Sequence, residues 1–286
     1  MSRIAIVGGG SMGEALLAGL LRSGYQVKDL VVAERVPQRA AYLAETYAIR
    51  VTGVGDAVEN AGHVLLAVKP GDVESVVGEI SEASARAEGD AVEQVLVSVV
   101  AGVTTAFYES RLPAGSPVVR VMPNAPALVG AGVSALAKGR FVTDEQLAAV
   151  GRLFECVGGV LTVSEAQIDA VTAVSGSGPA YFFLFVEALV DAAVAIGLSR
   201  PVATDLAVQT MAGAAAMLLE RLPEQGSPTS AVPDTSAAQL RAMVTSPGGT
   251  TAAGLRELER CGVRTAIAVA VEAAKTRSEQ LGITSE

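Results

Sequence analysis

Strand-like runs recur through the first part of this chain and then stop. RIAIV, DLVVA, HVLLAV, QVLVSVV, PVVRVM and GGVLTV are short apolar runs, and helical patterns such as SMGEALLAGLLRSG and VPQRAAYLAETYA lie between most of them. That alternation predicts a parallel sheet with both faces covered by helices. After about residue 164 the strand signal ends. From EAQIDAVTAV to VRTAIAVAVEAAKTRSEQL every apolar segment has helical length and spacing. A stretch rich in Pro, Ser and Gly, PEQGSPTSAVPDTS (223–236), reads as a surface loop or disordered insert. The expected architecture is an α/β domain over 1–164 followed by an all-α domain over 165–286, a division that 286 residues can fill.

The first strand runs straight into Gly8-x-Gly10-x-x-Gly13 and then a helix. A bare glycine triplet is weak evidence, but strand, glycine loop and helix in that order form the dinucleotide fingerprint of a Rossmann-like fold. Gly8 suits the tight turn, Gly10 lets a pyrophosphate approach the backbone, and Gly13 lets the helix pack on the strand. Ser11 and Met12 complete the loop. The acidic residue of the fingerprint is due about twenty residues on, and Glu34 stands there with Arg35 next to it. A carboxylate suits a free ribose 2′-hydroxyl and a guanidinium suits a 2′-phosphate, so both NAD(H) and NADP(H) stay open.

Composition removes several classes. The formal net charge is −9 with no Lys/Arg cluster, which argues against nucleic acid or an anionic membrane. The most apolar stretch, YFFLFVEALVDAAVAIGL, carries Glu187 and Asp191 four residues apart, which argues against a membrane span. Cys156, Cys261 and the lone His63 sit in no ligand spacing, so no metal site is expected. The chain opens on strand and turn, and a soluble cytoplasmic protein is the expectation. The later helices carry apolar residues on most faces, so burial in an oligomer is expected.

Four further motifs carry candidate chemistry. LLAVKP ends a strand at Lys69-Pro70, and strand carboxyl ends in open α/β sheets face the ligand crevice. Lys69 could reach a phosphate or ribose, or simply be solvated. RVMPN also follows a strand, where Pro123 and Pro126 stiffen a loop that holds Asn124 either near the nicotinamide or in an Asx-type turn. SGSGPAYFF predicts the start of a long helix with Pro179 in its first turn and Ser177 as cap. SPGGTT (246–251) feeds another helix, and a glycine-rich turn at a helix start is either an anion cup or a cap.

Taken together, GGGSMGEALLAGLL, LLAVKP, VAGV, RVMPNAPALVGAG, SGSGPAYFF and TSPGGTTAAGLRELE, in that order over nearly the whole chain, resemble the pyrroline-5-carboxylate reductase family. The combination of MPN, SGSGPAY and SPGGTT is specific. The resemblance implies a dinucleotide-binding domain and a helical dimerisation domain, with homodimers assembling into larger rings such as a decamer. It implies hydride transfer from NADP(H), with NAD(H) as an alternative, to the C=N bond of 1-pyrroline-5-carboxylate, the last step of proline biosynthesis. Val68, Lys69, Pro70 and Asn124 would join Gly8, Gly10, Ser11, Met12, Gly13, Glu34 and Arg35 on the cofactor. Ser175, Ser177, Ser246, Gly248, Gly249, Thr250 and Thr251 would hold the substrate. No arginine lies within MPN, SGSGPAY or SPGGTT, so the backbone amides of SPGGTT are the expected carboxylate clamp, with Thr251 as catalytic residue, orienting the imine.

Two other readings compete. A β-hydroxyacid dehydrogenase-like enzyme would draw a general-acid lysine from the helical domain, which has none before Lys275. A non-catalytic NADP-binding redox sensor would not need a second anion cup.

Overall fold

The computed structural model describes residues 3–86, 93–222 and 236–282, and divides the chain into two compact units. One comprises Met1–Pro179 with Glu272–Glu286, and the other Ala180–Val271. The insert expected at 223–236 lies outside the described residues, except for the Ser236 backbone.

The first unit is built on one eight-stranded sheet of order β3-β2-β1-β4-β5-β6-β7-β8. The strands are β1 (Arg3–Val7), β2 (Leu30–Ala33), β3 (Arg50–Thr52), β4 (Ala61–Leu66), β5 (Val95–Ser98), β6 (Val118–Met122), β7 (Gly132–Lys138) and β8 (Gly158–Thr162). All neighbours run parallel except β6 and β7. The expected parallel sheet is therefore present, with one antiparallel pair toward its far edge. A parallel sheet is buried on both faces, which is why RIAIV carries no polar residue beyond its first. Ile4 and Ile6 point to one face, where they join Leu16, Leu17 and Leu20 of α1 (Ser11–Arg22). Ala5 and Val7 point to the other.

The side of the sheet that bears α1 also takes Leu43 of the next helix. Helix α2 (Pro37–Tyr47) starts with proline at its first position, where the missing N–H costs nothing. On the opposite face lie α3 (Val54–Val58), α4 (Val73–Arg86) and α5 (Thr105–Glu109), which contribute Ala57, Val77, Ile80, Phe107 and Tyr108. Helix α6 (Asp144–Phe154) returns to the first face with Leu153 and Phe154, and opens on a reciprocal capping box between Thr143 and Gln146.

After β8 the path is helical. Helix α7 (Ile168–Val171), a π-helical segment Thr172–Gly176 and α8 (Gly178–Ala195) follow one another, and then α9 (Arg200–Leu219), α10 (Ser236–Met243), α11 (Thr250–Arg260) and α12 (Val263–Leu281). Within the second unit the buried contact is small: Val190 of α8 against Ala203 and Ala207 of α9. Glu165–Ala195 and Arg200–Leu219 are long and apolar enough to cross a membrane by length and composition, and only 11% of each apolar window is buried. The end of α12 packs with the sheet unit: Ser278 Oγ donates to Asp169 Oδ1 at 2.6 Å, and a Cβ on Gly102 would meet the Leu281 carbonyl oxygen at 2.8 Å.

Candidate functional site

The glycine loop sits at the carboxyl end of β1, between β2 and β4. Gly8 has φ +103°, and a Cβ there would lie 2.5 Å from the Ala67 carbonyl oxygen and 3.1 Å from Val68 Cγ1. Gly13 packs so closely that a Cβ would run into the Gly8 carbonyl. Those two positions admit nothing larger than glycine. Gly10 is different: space is open around it, and it forms the N-cap of α1 with no side chain capping the helix. The amides of Ser11, Met12 and Gly13 therefore open onto that space with the positive end of the helix dipole behind them, the arrangement that receives a phosphate.

Charged side chains from the end of β2 and from α2 hold this loop. Glu34 accepts from Gly9 N–H at 2.9 Å and from Val36 N–H at 2.8 Å. Arg39 Nε donates to the Gly9 carbonyl at 2.6 Å, and its Nη2 pairs with Glu14. Tyr47 and Tyr42 also donate to Glu14, at 2.8 and 3.1 Å. Burial raises the Glu14 carboxyl, but the bonds from Arg39, Tyr47 and Tyr42 outweigh it and hold it below the ordinary value. Burial and then the bond to Glu14 push the Tyr47 phenol up to about 12. Arg35 Nη2 reaches Asp72 at 3.0 Å. Sequence reasoning found Glu34 and Arg35 but not Glu14, Arg39, Tyr47 or Asp72. Those partners lie 25 to 37 residues apart, and no local spacing announces them.

Lys69 and Pro70 are exposed at the start of a 3-10 turn, Pro70–Asp72, directly after β4. Asn124 lies at the start of the 3-10 turn Ala125–Val129, and its Oδ1 accepts from Val133 N–H at 2.9 Å. Its side-chain amide donor is what remains for a ligand. Arg120, just ahead of MPN, is buried on β6 and turned to Glu165 Oε1 at 3.4 Å; the same oxygen accepts from Thr105 N–H at 2.7 Å, and Glu165 Oε2 accepts from the Thr105 hydroxyl at 2.6 Å. Arg120 is a structural ion and no candidate for a carboxylate clamp.

The SGSGPAY motif opens the long helix α8 at Gly178, with Pro179 in its first turn as expected, but the cap differs. Ser177 precedes α8 in helical conformation, at φ −82° and ψ −24°, as the end of a π-helical turn and not as an extended N-cap. The turn ahead of α8, Thr172–Gly176, is π-helical and takes in Ser175 and Gly176 of the motif, with Ser177 N–H donating to the Thr172 carbonyl at 2.8 Å. Pro179 supplies the reason. It lacks an N–H for Ser175 and its ring crowds that carbonyl, and a widened turn just upstream absorbs both defects. Ser175 Oγ donates to the Val171 carbonyl at 3.1 Å. A Cβ on Gly176 would stand 2.8 Å from Met122 Cε, so the π-turn and the MPN loop are neighbours.

In the second unit, SPGGTT forms a turn closed by Gly249 N–H on the Ser246 carbonyl at 3.0 Å, with Gly248 at φ +70°. Gly249 is the N-cap of α11, and no side chain caps the helix. The loop hydroxyls are exposed at Ser246, Thr250 and Thr251. The first amides of α11 are thus left to a ligand or solvent.

An open parallel sheet with an uncapped glycine loop at its switch point defines a Rossmann-type nucleotide-binding protein, here joined to a helical unit. Two family models match: "NADP oxidoreductase coenzyme F420-dependent" over residues 3–102 and "Pyrroline-5-carboxylate reductase dimerisation" over 165–281. A pyrroline-5-carboxylate reductase of Mycobacterium tuberculosis is 68% identical over 100% of this chain and 99% of its own. A reductase of that name from Coxiella burnetii superposes with a TM-score of 0.88 at 35% identity, covering 99% of both chains. The pyrroline carboxylate reductase of Plasmodium falciparum, solved with NADP bound, gives 0.80 at 28% identity over 98% of each. The chain belongs to the pyrroline-5-carboxylate reductase family.

Proposed function

We propose that this protein reduces the C=N bond of 1-pyrroline-5-carboxylate to give L-proline, the last step of proline biosynthesis, with NADP(H) as hydride donor and NAD(H) as an alternative. The observation that carries this is full-length identity of 68% with a curated reductase of that name. The nicotinamide supplies the hydride, and the protein supplies binding, orientation and electrostatics.

The residues divide by task. The amides of Ser11, Met12 and Gly13 receive the cofactor pyrophosphate beside Gly8 and Gly10. Glu34 and Arg35 stand at the ribose end, and Val68, Lys69 and Pro70 border the dinucleotide. The free amide donor of Asn124 serves the nicotinamide. In the helical unit the uncapped amides of α11, with Ser246, Gly248, Gly249 and Thr250, hold the substrate carboxylate. Thr251 orients the imine, and Ser175 and Ser177 are assigned to the substrate as well. A threonine hydroxyl is a weak acid, so orientation rather than proton donation is its task.

The apolar surfaces of α8 and α9 are assigned to a homodimer, which assembles into a larger ring such as a decamer in the cytoplasm. We assign residues 1–164 to the cofactor and 165–286 to substrate and dimerisation.

The test is spectrophotometric. NADPH absorbance is followed with pyrroline-5-carboxylate, and NADP reduction with a 3-hydroxy acid. Oxidation in the first mixture only supports the proposal. Change in the second alone marks a β-hydroxyacid dehydrogenase, and change in neither a nucleotide sensor.

A further inference from the structure

The sheet order puts β1 between β2 and β4. Arg35 follows β2, and Asp72 lies in the turn after β4. The Arg35 guanidinium places Nη2 3.0 Å from each Asp72 oxygen. This side-chain bridge therefore spans the carboxyl end of β1, where the glycine loop begins. Among the described residues it is also the charge pair at this strand end whose cation is free to exchange. Glu34 is committed to two backbone amides, and Arg39 to the Gly9 carbonyl and Glu14. Arg35 by contrast has a side chain 76% exposed, against 28% for Asp72. An exposed pair of this kind shifts equilibria only a few-fold and gives way to a better anion.

We propose that Asp72 is a specificity-determining residue for the cofactor: it competes with the 2′-phosphate of NADP(H) for Arg35, and so holds down the advantage of NADPH over NADH. The inference rests on reading the glycine loop as the dinucleotide site. A 2′-phosphate offers the planar guanidinium fork a bidentate partner of higher charge than a carboxylate. Taking it leaves Asp72 without its cation and close to a second anion. A 2′-hydroxyl makes no such demand, and NADH binds with the Arg35–Asp72 pair intact.

The experiment is direct titration of the full-length chain with NADPH and with NADH, by nicotinamide fluorescence, for wild type, Asp72→Asn, Arg35→Ala and the double variant. Asp72→Asn is expected to tighten NADPH about two- to fivefold and leave NADH unchanged. Arg35→Ala is expected to weaken NADPH about tenfold or more. In the Arg35→Ala background the gain from Asp72→Asn should shrink to half or less, because the cation being competed for is gone. Raising the salt from about 0.05 to 0.5 M should shrink the wild-type-background gain too. Equal shifts for both cofactors would mean that Asp72 only shapes its turn, and would overturn the proposal. So would an undiminished gain without Arg35. If wild type binds neither cofactor, the glycine-loop reading itself fails and takes the inference with it.

Discussion

The sheet unit and the helical unit draw on the same small aliphatic residues and bury them to opposite extents. In the first, Leu20, Leu43, Leu65 and Phe154 are entirely or almost entirely inside, and both faces of the sheet are covered. In the second, Phe182, Phe183, Leu184 and Phe185 are 47–69% exposed in succession along α8, and Ile196 is 85% exposed. No residue of α11, or of the part of α12 that belongs to this unit, is buried. A parallel sheet completes its core within one chain, because each βαβ crossover lays a helix back over the strands. Long helices that are apolar on most faces cannot do this alone, and the match to a dimerisation family over 165–281 supports the proposal that a second copy covers them. One unit is finished by its own sequence, and the other is left open for the second copy proposed above.

That difference can be broken from either side. The largest effect is expected in the sheet unit. Leu20→Ala leaves a cavity under the sheet and should cost about 2–5 kcal/mol of stability, by an amount that does not depend on protein concentration. Chemical denaturation at two concentrations checks it. Phe183→Asp acts on the other unit. It should weaken self-association by about 2 kcal/mol or more, roughly thirtyfold, and make the unfolding midpoint depend on concentration where wild type is saturated. Light scattering across a dilution series reads this directly. A dimer of unchanged affinity would show that the exposed face of α8 is not what the second copy covers.

Legibility in the sequence follows the same division of physical causes. β1, β2, β4, β5 and β6 stood out because strands buried on both faces must be continuous apolar runs. β7 did not: GVSALAK is built mostly from Gly, Ser, Ala and Lys, and it is a strand because β6 and β8 flank it. β3 has three residues and is held by β2 alone. The glycine loop was legible because only glycine fits at Gly8 and Gly13. The π-turn at Thr172–Gly176 was not, since serine–glycine–proline reads as a helix start unless a helix already precedes it. The Glu14–Arg39–Tyr47 cluster also left no trace, because it assembles from α1 and α2 only once both pack beside the glycine loop.

The two glycine loops sharpen the comparison further, since each unit has one at an uncapped helix start. Thr251→Ala should lower turnover by about ten- to a hundredfold, the equivalent of one hydrogen bond of about 1–3 kcal/mol to a reacting group, with NADPH affinity unchanged. Gly249→Val should mainly raise the KM for the pyrroline acid, because a β-branched side chain restricts the turn. Steady-state kinetics paired with NADPH titration separates the two loops. If both variants lose NADPH instead, the second loop belongs to the cofactor. Wild-type kinetics in both would make it a plain helix start.

The smallest effect probes whether the sheet unit is held by apolar packing alone. Glu14 ties α1 to α2 through Arg39, Tyr42 and Tyr47, and its side chain is 20% exposed. Glu14→Gln keeps the shape and removes the charge, so it should cost about 1 kcal/mol at neutral pH. The sign of the pH dependence follows from the lowered carboxyl. The folded value lies below the ordinary 4.5, so the unfolded chain takes up the proton first as pH falls. The stabilisation is therefore complete above about pH 5 and is lost as pH drops through 4.5 and then through the lowered folded value. Wild type and Glu14→Gln should differ at pH 7 and converge in acid. Glu45→Gln, an exposed change on α2, should stay within a few tenths of a kcal/mol of wild type at neutral pH. Denaturant midpoints at pH 7, 5 and 3.5 measure this. A difference between wild type and Glu14→Gln that persists unchanged into acid would mean that Glu14 acts by its shape and not by its charge.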